Sequence, residues 1–105
     1  MVQRGRLDPT PPGRGERIDR LFPGVEHIVS GAVDVPVDYL QDTDEWVVLL
    51  AGSARVDVDG EDLSLAVGDW VVLPAGVPHR VVDVAVGSRW LAVHVTPGRS
   101  PSPSP

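Results

Sequence analysis

The sequence has no cysteine, no lysine and no asparagine, and each absence removes a class of chemistry. Without cysteine there is no disulfide framework, no zinc knuckle and no thiol nucleophile. Without lysine a phosphate-binding loop lacks its cation, and without asparagine there is no N-glycosylation acceptor. Long hydrophobic runs are missing too. No stretch nears the roughly 18 apolar residues of a membrane span, and no secretory apolar run follows the first arginines. The expectation is a soluble, cytoplasmic protein with no membrane partner.

What is present is a 105-residue chain with a net charge of −6, a length that implies one domain. Arg4, Arg6, Arg14, Arg17 and Arg20 all precede Leu21. The body that follows is therefore acidic, and phosphate repulsion argues against a nucleic-acid partner. The early arginines are read as solvating a flexible segment.

Residues 1–17 are rich in Pro, Gly and Arg. They hold too few apolar side chains to offset the entropy of ordering, so a disordered arm is expected. The Ser/Pro repeat over 97–105 is expected to be a disordered tail. That leaves a folded unit over 18–96.

Valine dominates this unit, and the pattern predicts strands at Val25–Ser30, Val33–Asp38, Glu45–Ala51, Ala54–Val58, Leu63–Val67, Trp70–Leu73, His79–Val86 and Arg89–Thr96. Asp59-Gly60 is a two-residue hairpin signal, because a type I′ turn needs positive φ at both positions. No segment keeps a helical period, so an all-β barrel or sandwich follows. Val47-Val48-Leu49-Leu50 and Val71-Val72-Leu73 are apolar on both faces. One face fills the barrel and the other meets a second layer or a second subunit, which makes a homodimer the expected assembly.

Most catalytic motifs fail on inspection. Asp57 to Asp62 has carboxylates like a calcium loop, but Asp62 and Gly68 stand where that loop needs glycine and glutamate. Gly13-Arg-Gly15 follows no strand and lacks a third glycine. No serine sits in a Gly-x-Ser-x-Gly elbow. Two patterns survive: Glu45 followed by six residues and then Gly52, and Gly68-x5-Pro74-x-Gly76-x2-His79-x3-Asp83.

With these two motifs in order, the stretch from about Val33 to Val95 resembles the cupin superfamily, most closely its small single-domain members. The resemblance implies a jelly-roll β-barrel with Glu45 and His79 facing a pocket, and a divalent transition metal (iron, manganese, nickel or zinc) held there. Family members usually place two histidines just before the glutamate. Here those positions hold Tyr39 and Gln41 (or, with the other spacing, Asp38 and Leu40), and Asp83 replaces the usual asparagine.

Gln41 offers a carbonyl oxygen and Tyr39 a phenolate, both weaker ligands than imidazole. His94, on the face of the last strand shared by Trp90 and Ala92, would complete a two-histidine, one-carboxylate set with Glu45 and His79 if that face points inward. Leu91, Val93 and Val95 make an equally good inward face, so the periodicity leaves both orientations open.

Trp46 and Trp70 are expected to point away from the barrel, and His27 to be a surface residue. Three functions compete for the pocket: a metal-dependent oxygenase, isomerase or lyase acting on a small polar molecule, a non-catalytic module for a small ligand, and a metal-free enzyme with Glu45 and His79 as acid and base.

Overall fold

The computed structural model describes residues 2–33 and 35–97. Nine strands follow one another: β1 Glu16–Phe22, β2 Val25–Ser30, β3 Val37–Tyr39, β4 Asp44–Ala51, β5 Ala54–Val58, β6 Glu61–Leu65, β7 Trp70–Leu73, β8 His79–Val84 and β9 Arg89–Val95. They form two antiparallel sheets, ordered β1-β2-β9-β4-β7 and β3-β8-β5-β6. No helix among the described residues is long and apolar enough to cross a membrane.

The pleat explains the layering. Along β4, Glu45, Val47 and Leu49 are buried while Trp46, Val48 and Leu50 are more exposed, the period of two that sends alternate side chains to opposite faces. The inward residues meet Val56, Leu65, Leu73, Val84, Trp90 and Ala92 in one core. Leu49, only 1% exposed, contributes about 2 kcal/mol by leaving water. The expected type I′ turn is present, with φ of 50° at Asp59 and 87° at Gly60.

Several expectations change, among them the strand placed at Leu63–Val67, which runs Glu61–Leu65 instead. The strand placed at Val33–Asp38 is instead Val37–Tyr39, because Pro36 has no N–H to give a ladder and the pairing starts only after it. A strand not foreseen, β1, takes in Glu16 and Arg17, the last residues of the segment expected to be an arm. Gly15 N–H donates to Ala32 O at 2.9 Å. The Arg17 guanidinium donates to the carbonyls of Thr10 and Asp8 and pairs with Asp19 at 3.0 Å. Residues 8–10 are thereby held over the outer face of β1 and β2. Of the expected 97–105 tail, everything after Pro97 lies outside the described residues.

His27 is the clearest reversal. It is fully buried on that outer face, opposite Asp19 and Leu91, and its Nε2 accepts from Arg89 Nε at 3.1 Å. Trp46 and Trp70 point outward as expected, with ring centroids 6.2 Å apart.

Candidate functional site

Between the two sheets lies a cavity of about 300 Å³, at the small end of the range for small-molecule sites. Its depth is apolar, with Val47, Val56, Leu65, Leu73 and Val81 among its walls, and its polar groups are Glu16, Glu26, Glu45, Tyr39, Gln41, His79, His94 and Ser30. All five residues singled out from sequence, Tyr39, Gln41, Glu45, His79 and His94, line this one space.

Glu45 is buried on β4, and its Cα faces His94 on β9 and Leu73 on β7. The Gln41 Nε2 amide donates to Glu45 Oε1 at 2.9 Å. His94 shares the inward face with Trp90 and Ala92, which are 7% and 0% exposed, so the pairing settles the orientation that periodicity left open. Its Nδ1 is 2.9 Å from Thr43 Oγ1, and its Nε2 lies 3.2 Å from Glu26 Oε1 and 3.9 Å from Glu45 Oε1.

His79 opens β8 across from Tyr39 and Val58. The loop before it is tied to the residues around Glu45. Gly76 N–H donates to Gln41 O and Ala75 N–H to Asp44 Oδ1, both at 2.8 Å. The imidazole is buried and stacked on Tyr39, with centroids 5.3 Å apart and planes at 11°, and its Nδ1 has no hydrogen-bond partner.

Tyr39 OH donates to Glu16 Oε1 at 2.9 Å, and burial followed by that carboxylate pushes the phenol well above its ordinary range. The hydroxyl is therefore a fixed donor. Burial raises Glu16 as well. The Tyr39 bond opposes this, and the Glu45 and Glu26 charges add to it.

Glu16, Glu26 and Thr43 were missed from sequence. The signal for Glu26 was available: with His27 facing outward, the alternation of β2 turns Glu26 and Ile28 inward. Glu16 was hidden by the unread strand β1.

The expected metal set of Glu45, His79, His94 and Gln41 does not fit an ion as arranged. Among the described residues no three His, Asp or Glu side chains converge to hold one. Both ring nitrogens of His94 already face Thr43 and Glu26, and Glu45 Oε1 is taken by Gln41. The His79 imidazole alone offers too few free donors for a divalent transition metal.

The family model for the cupin domain matches residues 24–98. This chain belongs to the cupin family. Among solved structures, this cupin is similar to a protein from Ralstonia eutropha JMP134 provisionally named mannose-6-phosphate isomerase, with 30% identity, a TM-score of 0.77, and coverage of 90% of this chain and 99% of that one. It also resembles a cupin protein from Bacteroides fragilis, with 20% identity, a TM-score of 0.60, and 99% and 93% coverage. The cupin domain of an XRE-family transcriptional regulator from Enterobacter cloacae matches with 18% identity, a TM-score of 0.67, and 80% and 99% coverage. The last two likenesses speak to the fold alone. A search of curated proteins finds no match.

Proposed function

We propose that this cupin takes a small organic molecule with an apolar body into the barrel cavity and moves a proton on it without a resident metal. Glu45 acts as base and His79 as the partner that donates or accepts at the far side of the substrate. The observation that carries this is the pairing of two buried acid–base groups in one apolar cavity: a carboxylate held by Gln41, and an imidazole whose Nδ1 has no partner. Low polarity strengthens such groups toward a bound polar atom. Isomerases and lyases that shift a proton next to a carbonyl need only these two functions.

The provisional name of the Ralstonia protein agrees with an isomerase. A phosphorylated sugar is a poor fit here, because no arginine lines the cavity and three glutamates do, so a phosphate dianion would meet only like charge.

The test is a thermal-shift screen of small carbonyl compounds and amines, followed by deuterium uptake from D2O into each hit, read by NMR. Wild-type protein should exchange a substrate C–H. Glu45→Gln should still bind the hit while losing at least about 100-fold in exchange rate. Hits that bind without exchange in wild type would reduce the site to a binding module. Stoichiometric metal in the purified protein, with exchange lost on its removal, would overturn the metal-free chemistry.

A further inference from the structure

The cavity carries an unbalanced charge, and its balance identifies the ligand. Glu16, Glu26 and Glu45 all line it. Glu26 and Glu45 share His94 Nε2, at 3.2 and 3.9 Å, and Glu16 lies one tyrosine away from His79 through its bond to Tyr39 OH. Even with His79 and His94 both protonated, two positive rings share the cavity with three carboxylates.

No arginine lines the cavity, and three of those around it are paired elsewhere. Arg17 holds Asp8 and Asp19, Arg80 holds Asp38, and Arg89 reaches His27 on the outer face. Arg20 faces Glu26 across the β1–β2 pair but is exposed and does not line the cavity. There is no lysine to call on.

A second, independent feature points to the same vacancy. His79 is 8% exposed, lines the cavity, and its ring makes no hydrogen bond to any described residue. A buried polar atom left unpaired is costly, and a bound hydrogen-bonding group would remove that cost.

Three kinds of countercharge are conceivable. A bare metal ion needs donors that converge, and among the described residues they do not. Water and small inorganic cations would wet a space whose walls are mostly Val, Leu and Ile, at the expense of apolar hydration. An organic ammonium satisfies both halves, placing its charged nitrogen among the carboxylates and its hydrocarbon on the apolar walls.

We infer that the ligand of the barrel cavity is a small apolar amine bound in its protonated form, with Glu16, Glu26 and Glu45 as its counter-ions. This inference rests on the cavity being the ligand site, as proposed above, and adds the charge class to it.

The experiment uses matched probes on the full chain: butyl, cyclohexylmethyl and 2-phenylethyl bodies, each carrying an amine, an alcohol or a carboxylate. Titration calorimetry at neutral pH should give at least one amine that binds about tenfold or more tighter than its alcohol, with the carboxylate weaker still. Glu26→Gln and Glu45→Gln should each shrink that amine-to-alcohol ratio severalfold while leaving the alcohol's affinity in place. Alcohols that bind as well as amines, or carboxylates that bind best, would overturn the charge class and leave the cavity as a ligand site. Absence of binding by every body in all three forms would overturn the inference and the cavity reading together. An unchanged ratio in both variants would place the amine outside the cavity and refute the assignment.

Discussion

Lowering the pH should unfasten this protein at His27, on the face of β2 turned away from the cavity. The imidazole is fully buried. Nε2 accepts the Arg89 Nε–H, so the ring's proton sits on Nδ1. Adding a second proton requires losing that acceptor and placing a cation against a guanidinium.

Burial first, and the Arg89 charge next, hold the His27 pKa below its ordinary value of 6.5; Asp19 and Asp8 pull it up, and Arg17 adds to the depression. The folded pKa is depressed, so the stabilisation is present above pH 6.5 and lost as the pH falls through the folded value. One extra proton bound by the unfolded chain gives a slope of at most about 1.4 kcal/mol per pH unit.

Glu16 works in the opposite sense. Its folded pKa is raised, so its contribution is complete below 4.5 and fades as the pH climbs through the folded value. The assay is urea unfolding from about pH 8 to about pH 5 at fixed ionic strength, in a Glu16→Gln background to remove that opposing slope. His27→Gln keeps an acceptor for Arg89 but cannot titrate. Its stability curve should be flatter than the parent's, with the two converging toward the acid end. Parallel curves would refute the argument.

Two further outcomes follow from local geometry. Gly52 has φ of +87°, and a Cβ there would lie 2.1 Å from Ser88 Oγ and 2.8 Å from Ser88 Cα; Gly52→Ala should therefore cost about 2 kcal/mol or more in urea unfolding, and an unchanged midpoint would contradict the clash. We also propose that the outer face around Trp46, Trp70 and Val72, where Trp70 and Val72 are 59% and 50% exposed, packs against a second copy of the chain, since adjoining exposed apolar side chains favour association. Sedimentation should then find a dimer in wild type and a monomer in Trp70→Glu, and a wild-type monomer at tens of micromolar would sink the proposal.

Strand pairing was legible wherever one residue type carried the alternation. Ala54–Val58 could be read because Arg55 and Asp57 interrupt its valines, and the turn after it because only a few residue pairs tolerate positive φ twice. β1 was illegible for a physical reason. Its Arg17, Asp19 and Arg20 look like solvated charge, yet Arg17 is used internally, holding two backbone carbonyls and Asp19. His27 was misread through the same gap, since what buries its face is β1 and the segment before it. His94 lay within reach of sequence only as a choice between two faces. Deciding it took the register that sets Glu45 opposite His94, a long-range pairing that no local window contains.

The altered first motif makes sense once its neighbours are placed. The positions where cupins usually carry two histidines hold Tyr39 and Gln41, and neither side chain is idle. Gln41 fixes the Glu45 carboxylate through its amide while its backbone carbonyl anchors Gly76 of the second motif. Tyr39 lays its ring on His79 and ties its hydroxyl to Glu16 on the other sheet.

On the function proposed above, both positions orient an acid–base group where a relative would place a metal donor, and the Tyr39 bond to Glu16 also links the two sheets. The second motif is retained because its turn still aims His79 inward, a task that does not depend on a metal. The turn geometry and the donor set are separable features of this barrel. The first explains why the fold is recognisable, and the second underlies the organic ligand proposed above.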